Sequence, residues 1–383
     1  MKVIINTTPL LMPKTGIGYY VYNLCKHLEQ YDELEIAYIH KPFGRYVASF
    51  LKTISFPFKR ILKNKYPKEL AAFLFNVAMS PFSVLSKAKI TKIDVKNFDL
   101  YHDPCHSIIP EFRQLRRVVD IHDLAAIKYP HWVNPEYRRQ MGRDIKDLLN
   151  SNRIIVKSNY VKNELINDFN IDQNIIDVIP NALGATYRIL KDKDEVKKYV
   201  SKFVKKDYIL FTGTIEPRKN LKTLFKAFRI IRNKYDVALV IAGGFGWRFE
   251  EIIAFPKKLG IEKDVIFTSY ASEQTLLYLY NFAKVLVFPS FYEGFGIPPL
   301  EAMACKTPVI ASNSSSIPEV VGDAALTFNP HDYEELAYLM EKVLTSEELS
   351  EKLRRKGLER VKHFSWEKTA KMTIESYKKA LGE

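Results

Sequence analysis

Between Lys284 and Ser312 two uninterrupted apolar runs, KVLVFPS and PVIAS, flank a loop and a helix start. Continuous β-branched runs suit parallel strands covered on both faces, so this stretch reads as strand, loop, helix, strand. The loop holds Glu293, Gly294, Phe295 and Gly296, then Ile297 and a proline pair, Pro298-Pro299. Proline is tolerated in a first turn whose amide hydrogens have no intrahelical partner, so the helix is predicted to begin there with Glu301 in its first turn. A carboxylate at that place faces the positive end of the helix dipole, and glycines let backbone N–H groups come close to a ligand. The pattern suits a polyhydroxylated or phosphorylated ligand; it also describes an ordinary capped helix after a turn.

The rest of the chain repeats the alternation of strand and helix. Strands are expected at KVIINTTPL, LEIAYIH, NFDLYH, RRVVDIH, RIIV, YILFTGT, VALVIAGG and VIFTSY. Such an order implies α/β architecture with doubly wound parallel sheets, whose ligands bind beyond the carboxyl ends of the strands. At 383 residues the chain exceeds one ordinary core and divides into two domains. The stretch from Asp177 to Tyr208, with a Pro180-Asn181 turn and a highly charged helix, reads as their connection. Hydrophobic residues at 47% and charged residues at 27% indicate a soluble globular protein. Cys25, Cys105 and Cys305 form no C-x-x-C pair, which fits a reducing cytoplasm and argues against a zinc ribbon. The N-terminus lacks the apolar core of a signal peptide and reads as the first strand.

Several polar residues stand at expected strand ends. Lys14 to Gly18 is read as a loop in which Gly16 and Gly18 make a G-x-G turn before the helix YYVYNL; the third glycine of the dinucleotide fingerprint is missing. His40, not an acid, follows the second strand, which lowers the case for a nicotinamide cofactor. His122 and Asp123 follow RRVVDI, Gly213 follows YILFT, and Gly243 opens the turn GGFGW. Ser269 and Tyr270 close VIFTSY, and Arg218 and Lys219 are adjacent cations at a helix entrance. His102, Asp103, His106, His122 and Asp123 match no ligand spacing, so no metal site is expected. Asp192-Lys193-Asp194 spells a D-x-D inside a solvated charge run and is read as surface.

Glu293 and Glu301, with GFGIPPL between them, resemble the paired glutamates of the retaining nucleotide-sugar transferases of glycosyltransferase family 4. The similarity extends through FTGTIEPRKNL and LVIAGGFGW to Phe328, and thinly through TGIGYYVYNL, YHDPCHSIIP and VVDIHDLAAIKYP. It implies the GT-B fold, two Rossmann-like domains facing a central cleft. The expected division is an acceptor-binding domain over 1–185, a nucleotide-sugar domain over 186–364, and a helix over 365–383 crossing back to the first. It also implies that Gly16 and Gly18 lie under the donor phosphates or beside the acceptor, that His122 meets the donor sugar, and that Ser269 and Tyr270 hold the base. Gly213 and Gly243 would wall the nucleotide pocket. Arg218 and Lys219 would bind the diphosphate, Gly294 to Ile297 would offer amides to the sugar held by Glu293, and Glu301 would accept from the ribose hydroxyls. Relatives often carry arginine directly after the glycine of the Gly213 strand end, where this chain has Thr214, so Arg218 is expected to supply that guanidinium. The resemblance further implies attack from the front face, with the leaving phosphate taking the acceptor's proton and giving retention, and no metal or other cofactor is expected.

The wording is most similar to bacterial transferases that build surface polysaccharide from GDP-mannose, which points to a glycan or lipid-linked acceptor. A UDP-sugar transferase, a nucleotide-sugar epimerase and a non-catalytic membrane-bound scaffold remain open alternatives. Twelve of the basic residues, against Glu69 and Asp94, fall between Lys41 and Lys96, in a chain of net charge +14. Aromatics interleave them, so the segment is either an amphipathic surface for an anionic membrane or an insertion packed on the first domain. The first reading places the protein at the inner face of the cytoplasmic membrane. No recognised motif supports nucleic-acid binding.

Overall fold

The computed structural model describes residues 1–11, 16–39, 95–105, 109, 112–133 and 135–383. The basic aromatic segment, His40 and His106 lie outside the described residues. The twelve described strands are β1 (Lys2–Asn6), β2 (Glu35–Ile39), β3 (Leu100–Asp103), β4 (Arg116–Ile121), β5 (Arg153–Val156), β6 (Ile176–Val178), β7 (Tyr208–Thr212), β8 (Ala238–Ala242), β9 (Val265–Ser269), β10 (Val285–Phe288), β11 (Val309–Ser312) and β12 (Leu326–Phe328). They form two six-stranded sheets, β2-β1-β3-β4-β5-β6 and β12-β11-β10-β7-β8-β9. All five pairings of the second sheet are parallel, as are β2-β1, β1-β3 and β3-β4 in the first.

Contacts group the chain into two units. One comprises Met1–Asp120, Asn150–Ile154 and Ile374–Glu383; the other comprises Ile121–Leu149 and Ile155–Thr373. In the second unit the apolar runs alternate between two cores. Tyr208, Leu210, Val240 and Leu286 pack on one face of the sheet, Ile209, Phe211, Leu239 and Val287 on the other. Burial on both faces explains why these strands read as unbroken apolar runs rather than as period-two patterns. The strand order reverses between β7 and β10, and in an open parallel sheet the loops leaving the two strands at that point splay apart to form a crevice. Those loops contain Gly213 to Lys219 and Ser290 to Gly296.

In the first unit the helix Gly16–Leu28 starts earlier than expected. Gly16 and Gly18 lie in its first turn, Gly18 buried, rather than in a loop before it. The short strand β6, half-buried at Asp177 and Val178, falls where only a connection was expected. His102 is packed inside: its Nδ1 lies 2.6 Å from the Tyr377 hydroxyl and its Nε2 3.6 Å from Asp120. Asp192 caps the helix Lys193–Val200, accepting from the Glu195 amide at 2.8 Å, so the D-x-D is a surface helix start.

Candidate active site

Arg218 and Lys219 sit in a single 3-10 turn, Pro217–Lys219, closed by Asn220 in the left-handed conformation at φ 56°. Asn220 makes the strained conformation productive: its amide donates to the Pro289 carbonyl at 3.0 Å and the Pro330 carbonyl at 2.7 Å. The turn is thereby tied to the end of β10. Across it, Arg218 Nη1 donates to Glu293 Oε2 at 2.7 Å and Lys219 Nζ to Glu293 Oε1 at 2.6 Å. Arg218 Nε also pairs with Glu216 Oε1 at 2.5 Å. Glu216, Lys219 and Glu293 are all buried. Two cations and two carboxylates therefore balance in a low-dielectric pocket, not as a solvated pair at a helix entrance.

The protonation equilibria follow from that arrangement. Burial opposes the charge on Glu293, but Arg218 and Lys219 outweigh it and hold the carboxyl down at about 2. Burial, joined by the adjacent guanidinium, pulls Lys219 below an ordinary lysine despite Glu293. Glu301 behaves oppositely. It lies in the first turn of the helix Pro298–Ala304, accepts from the Tyr280 hydroxyl at 2.7 Å, and has no salt-bridge partner among the described residues. Burial pushes it up to about 7.

The Glu293 loop is held by a serine run that sequence reading missed. The Ser312 and Ser314 hydroxyls donate to the Ser290 and Phe291 carbonyls, each at 2.6 Å. Ser315 Oγ accepts from the Glu293 amide at 2.9 Å, while Ser316 Oγ donates to the carbonyls of Glu293 at 2.8 Å and Phe295 at 3.1 Å. Hydroxyls that satisfy loop carbonyls and amides fix a segment that has no ladder of its own. The density of serine in SNSSS was the available signal. Glu216, two residues before Arg218, and Tyr280 were also missed.

His122 and Gly294 meet backbone to backbone. A Cβ on Gly294 would lie 1.7 Å from the His122 carbonyl oxygen and 2.8 Å from Asp123 Cβ, so only glycine allows the contact. Gly296, at φ 98°, is the other position in the loop that needs glycine. Phe295 turns its ring into the core against Phe364, leaving its backbone as the part a ligand could meet; Ile297 is half-buried at the helix start. The ends of β7, β8 and β9 are laced together: the Gly213 amide donates to Ala242 and the Gly243 amide to Ser269, both at 3.0 Å. A Cβ on Gly243 would come within 1.8 Å of the Gly213 carbonyl oxygen. Ser269 holds φ 59°, an uncommon conformation for a residue with a side chain, and beside it Tyr270 is 66% exposed.

Thus the second unit contains His122, Gly213, Arg218, Lys219, Gly243, Ser269, Tyr270, Glu293 to Ile297 and Glu301, while Gly16 and Gly18 belong to the first. Among the described residues, apart from its chain neighbours and its own helix backbone, nothing lies within 4 Å of a Cβ built on Gly16. Gly16→Ala should leave the melting temperature unchanged or raised, since alanine favours helix over glycine by about 1 kcal/mol. A rise in donor KM would then show that a ligand approaches the Gly16 backbone, and an unchanged KM would remove Gly16 from the site.

Residues 192–360 match the family model described as glycosyl transferases group 1. The chain is 31% identical to O-antigen chain mannosyltransferase B of Escherichia coli over 389 aligned positions, covering 99% of this chain and 100% of that protein. It is 30% identical to the serotype-specific mannosyltransferase WbdA of Escherichia coli over 72% of this chain and 33% of that longer protein. Among solved structures, Anabaena HepE in complex with UDP-glucose superposes with a TM-score of 0.70 at 15% identity, over 98% of this chain and 99% of that one, a likeness of GT-B fold. Paired glutamates at the switch point of the second sheet, joined to a full-length likeness, place the chain in the group 1 glycosyltransferases, the family of the O-antigen mannosyltransferases.

Proposed function

We propose that this enzyme transfers mannose from GDP-mannose to a growing surface glycan, with retention at the anomeric carbon and without a metal ion or other cofactor. The observation that carries the reading is the buried salt-bridged centre: two cations held 2.7 and 2.6 Å from one carboxylate at the sheet's switch point. Breaking the bond from sugar to diphosphate leaves positive charge on the anomeric carbon and negative charge on the departing phosphate. Arg218 and Lys219 stabilise the phosphate, and their partner Glu293 turns to the sugar hydroxyls as the diphosphate takes them over. The amides of Gly294 to Ile297 and the strand-end residue His122 line the sugar's side of the site. Ser269 and Tyr270 receive the base beside Gly213 and Gly243, and Glu301 accepts from the ribose. The phosphate released takes the acceptor's proton on the same face.

The acceptor in this reading is a glycan on a lipid carrier, and the basic segment between Lys41 and Lys96 rests on the anionic inner face of the cytoplasmic membrane. Among the described residues no helix is long and apolar enough to cross a membrane. Lys59, Arg60 and Lys63 neutralised together should reduce sedimentation with anionic vesicles while leaving GDP binding unchanged.

Thermal shifts against a panel of nucleotides and nucleotide sugars, with chelator present, test the donor. A ligand at one hundred times its Kd stabilises the native state by about 2.7 kcal/mol. GDP and GDP-mannose are expected to raise the melting temperature selectively; a response to uridine ligands instead would replace the donor, and no response to any would overturn the enzymatic reading.

Glu301 adds a pH dependence. Its folded pKa is raised from the ordinary range to about 7, so the ligand-free protein should lose stability as pH rises from about 4.5 to 7, where the unfolded chain ionises first. Ribose hydroxyls bind the ionised form, so GDP affinity should fall about tenfold between pH 8 and pH 6, with proton release on binding at neutral pH. Glu301→Gln should abolish both slopes in titration calorimetry; persistence of the affinity slope would remove Glu301 from the ribose.

A further inference from the structure

The helix Leu221–Arg232 exposes Lys222, Lys226 and Arg229, followed by Asn233, at the spacing of one helical face. Neighbouring cations are neutralised: Lys222 pairs with Glu251 at 3.1 Å, Arg232 with Asp264 at 2.7 Å and Lys234 with Glu341 at 2.9 Å. Lys226 and Arg229 differ. Among the described residues neither has a carboxylate within salt-bridge distance, and Lys226 Nζ instead stands 5.3 Å from the centre of the Tyr333 ring. Both line a cavity of 340 Å³ whose remaining walls are Ile230, Leu259, Tyr333 and the polar groups of Asn233 and Glu334.

These walls divide by chemistry. Two cations one helical turn apart, neither in a salt bridge among the described residues and one of them a guanidinium able to donate in a fork, outnumber the single Glu334 carboxylate of the lining and match a phosphate monoester. Ile230, Leu259 and the Tyr333 ring supply an apolar bed of the kind on which the C–H face of a pyranose rests, while the Asn233 amide and Glu334 carboxylate can exchange hydrogen bonds with hydroxyls. The cavity is an open groove whose 340 Å³ lies at the small end of the range for small-molecule sites, a size suited to a hexose phosphate. We propose that this cavity, built from residues other than those of the donor site, binds a soluble sugar phosphate.

Titration calorimetry of the intact chain with mannose 6-phosphate, inorganic phosphate and methyl mannoside tests the proposal, with GDP in excess so that the donor site does not contribute. The expected result is saturable binding of one mannose 6-phosphate, at least about tenfold weaker in the Lys226→Gln, Arg229→Gln double variant. Inorganic phosphate and the neutral sugar should each bind several-fold more weakly. Both substituted residues are exposed, so the double variant should melt with the wild type and keep its basal transferase rate. Affinity unchanged in the double variant overturns the site, as does the absence of saturable binding in the wild type. Inorganic phosphate binding as tightly as the sugar phosphate reduces the cavity to an anion contact. Recruitment to phosphatidylglycerol vesicles that depends on Lys226 and Arg229, without mannose 6-phosphate binding, would show a membrane contact in its place.

Discussion

Glu293→Gln is expected to lower kcat by about 10²-fold or more and to destabilise the ligand-free protein, because both effects come from one carboxylate. Glu293 is the shared partner of Arg218 and Lys219; the carboxylate and the lysine are buried and the guanidinium is partly so. Removing one member of a buried ion pair costs about 3–5 kcal/mol, since the remaining charge stays desolvated without compensation. The acid side of the stability curve gives a second measure. A folded pKa of about 2 against an ordinary glutamate near 4.5 corresponds to roughly 3 kcal/mol, present above the unfolded value and lost as pH falls from about 4.5 towards 2. In the Gln variant that limb of the curve should flatten. A merely structural role predicts the same loss of stability but not the third readout. With Arg218 and Lys219 left in excess, GDP or pyrophosphate should raise the melting temperature of the variant by more than that of the wild type. Equal rises would mean that the two cations do not hold the diphosphate.

The features that were legible in the sequence were those encoded within one strand and its following loop. Unbroken apolar runs announced strands buried on both faces, and the proline pair announced the helix at Pro298. Relations between distant segments were not legible. Arg218 and Glu293 are 75 positions apart, and sequence shows that both are charged but not that they neutralise one another. The pairing of Arg218 and Lys219 with Glu293 is visible only in the fold. The same limit hid Tyr280, which reaches Glu301 from a helix 21 positions earlier, and Ser158, which donates to the Gly294 carbonyl at 2.9 Å from 136 positions away. The helix start at Gly16 was missed for a different reason. Glycine has poor helix propensity, and the packing of Tyr20, Val21 and Leu24 in the core overrides it.

Gly294→Ala is expected to be the most damaging single methyl addition in the site. The clash it creates is with main chain, the His122 carbonyl oxygen at 1.7 Å, and no rotamer change relieves it. Either the Glu293 loop lifts from the end of β4 or the His122 segment retreats. The loop resists movement because Ser315 and Ser316 bind the backbone on one side and Ser158 on the other. Overpacking of this kind costs about 1–3 kcal/mol in a well-packed region, and displacing Glu293 by about 1 Å can cost a further 10²-fold in rate through lost alignment. Gly296→Ala separates the two contributions. There the new methyl meets the edge of the buried Phe288 ring at 3.2 Å, a side chain and not main chain, while φ 98° imposes backbone strain. If contact with His122 aligns the catalytic loop, the Gly294 variant should lose far more activity than the Gly296 variant at a comparable loss of melting temperature. Equal activity losses at equal destabilisation would mean that the loop needs only to be folded, and that its docking on the His122 carbonyl carries no part of the transfer.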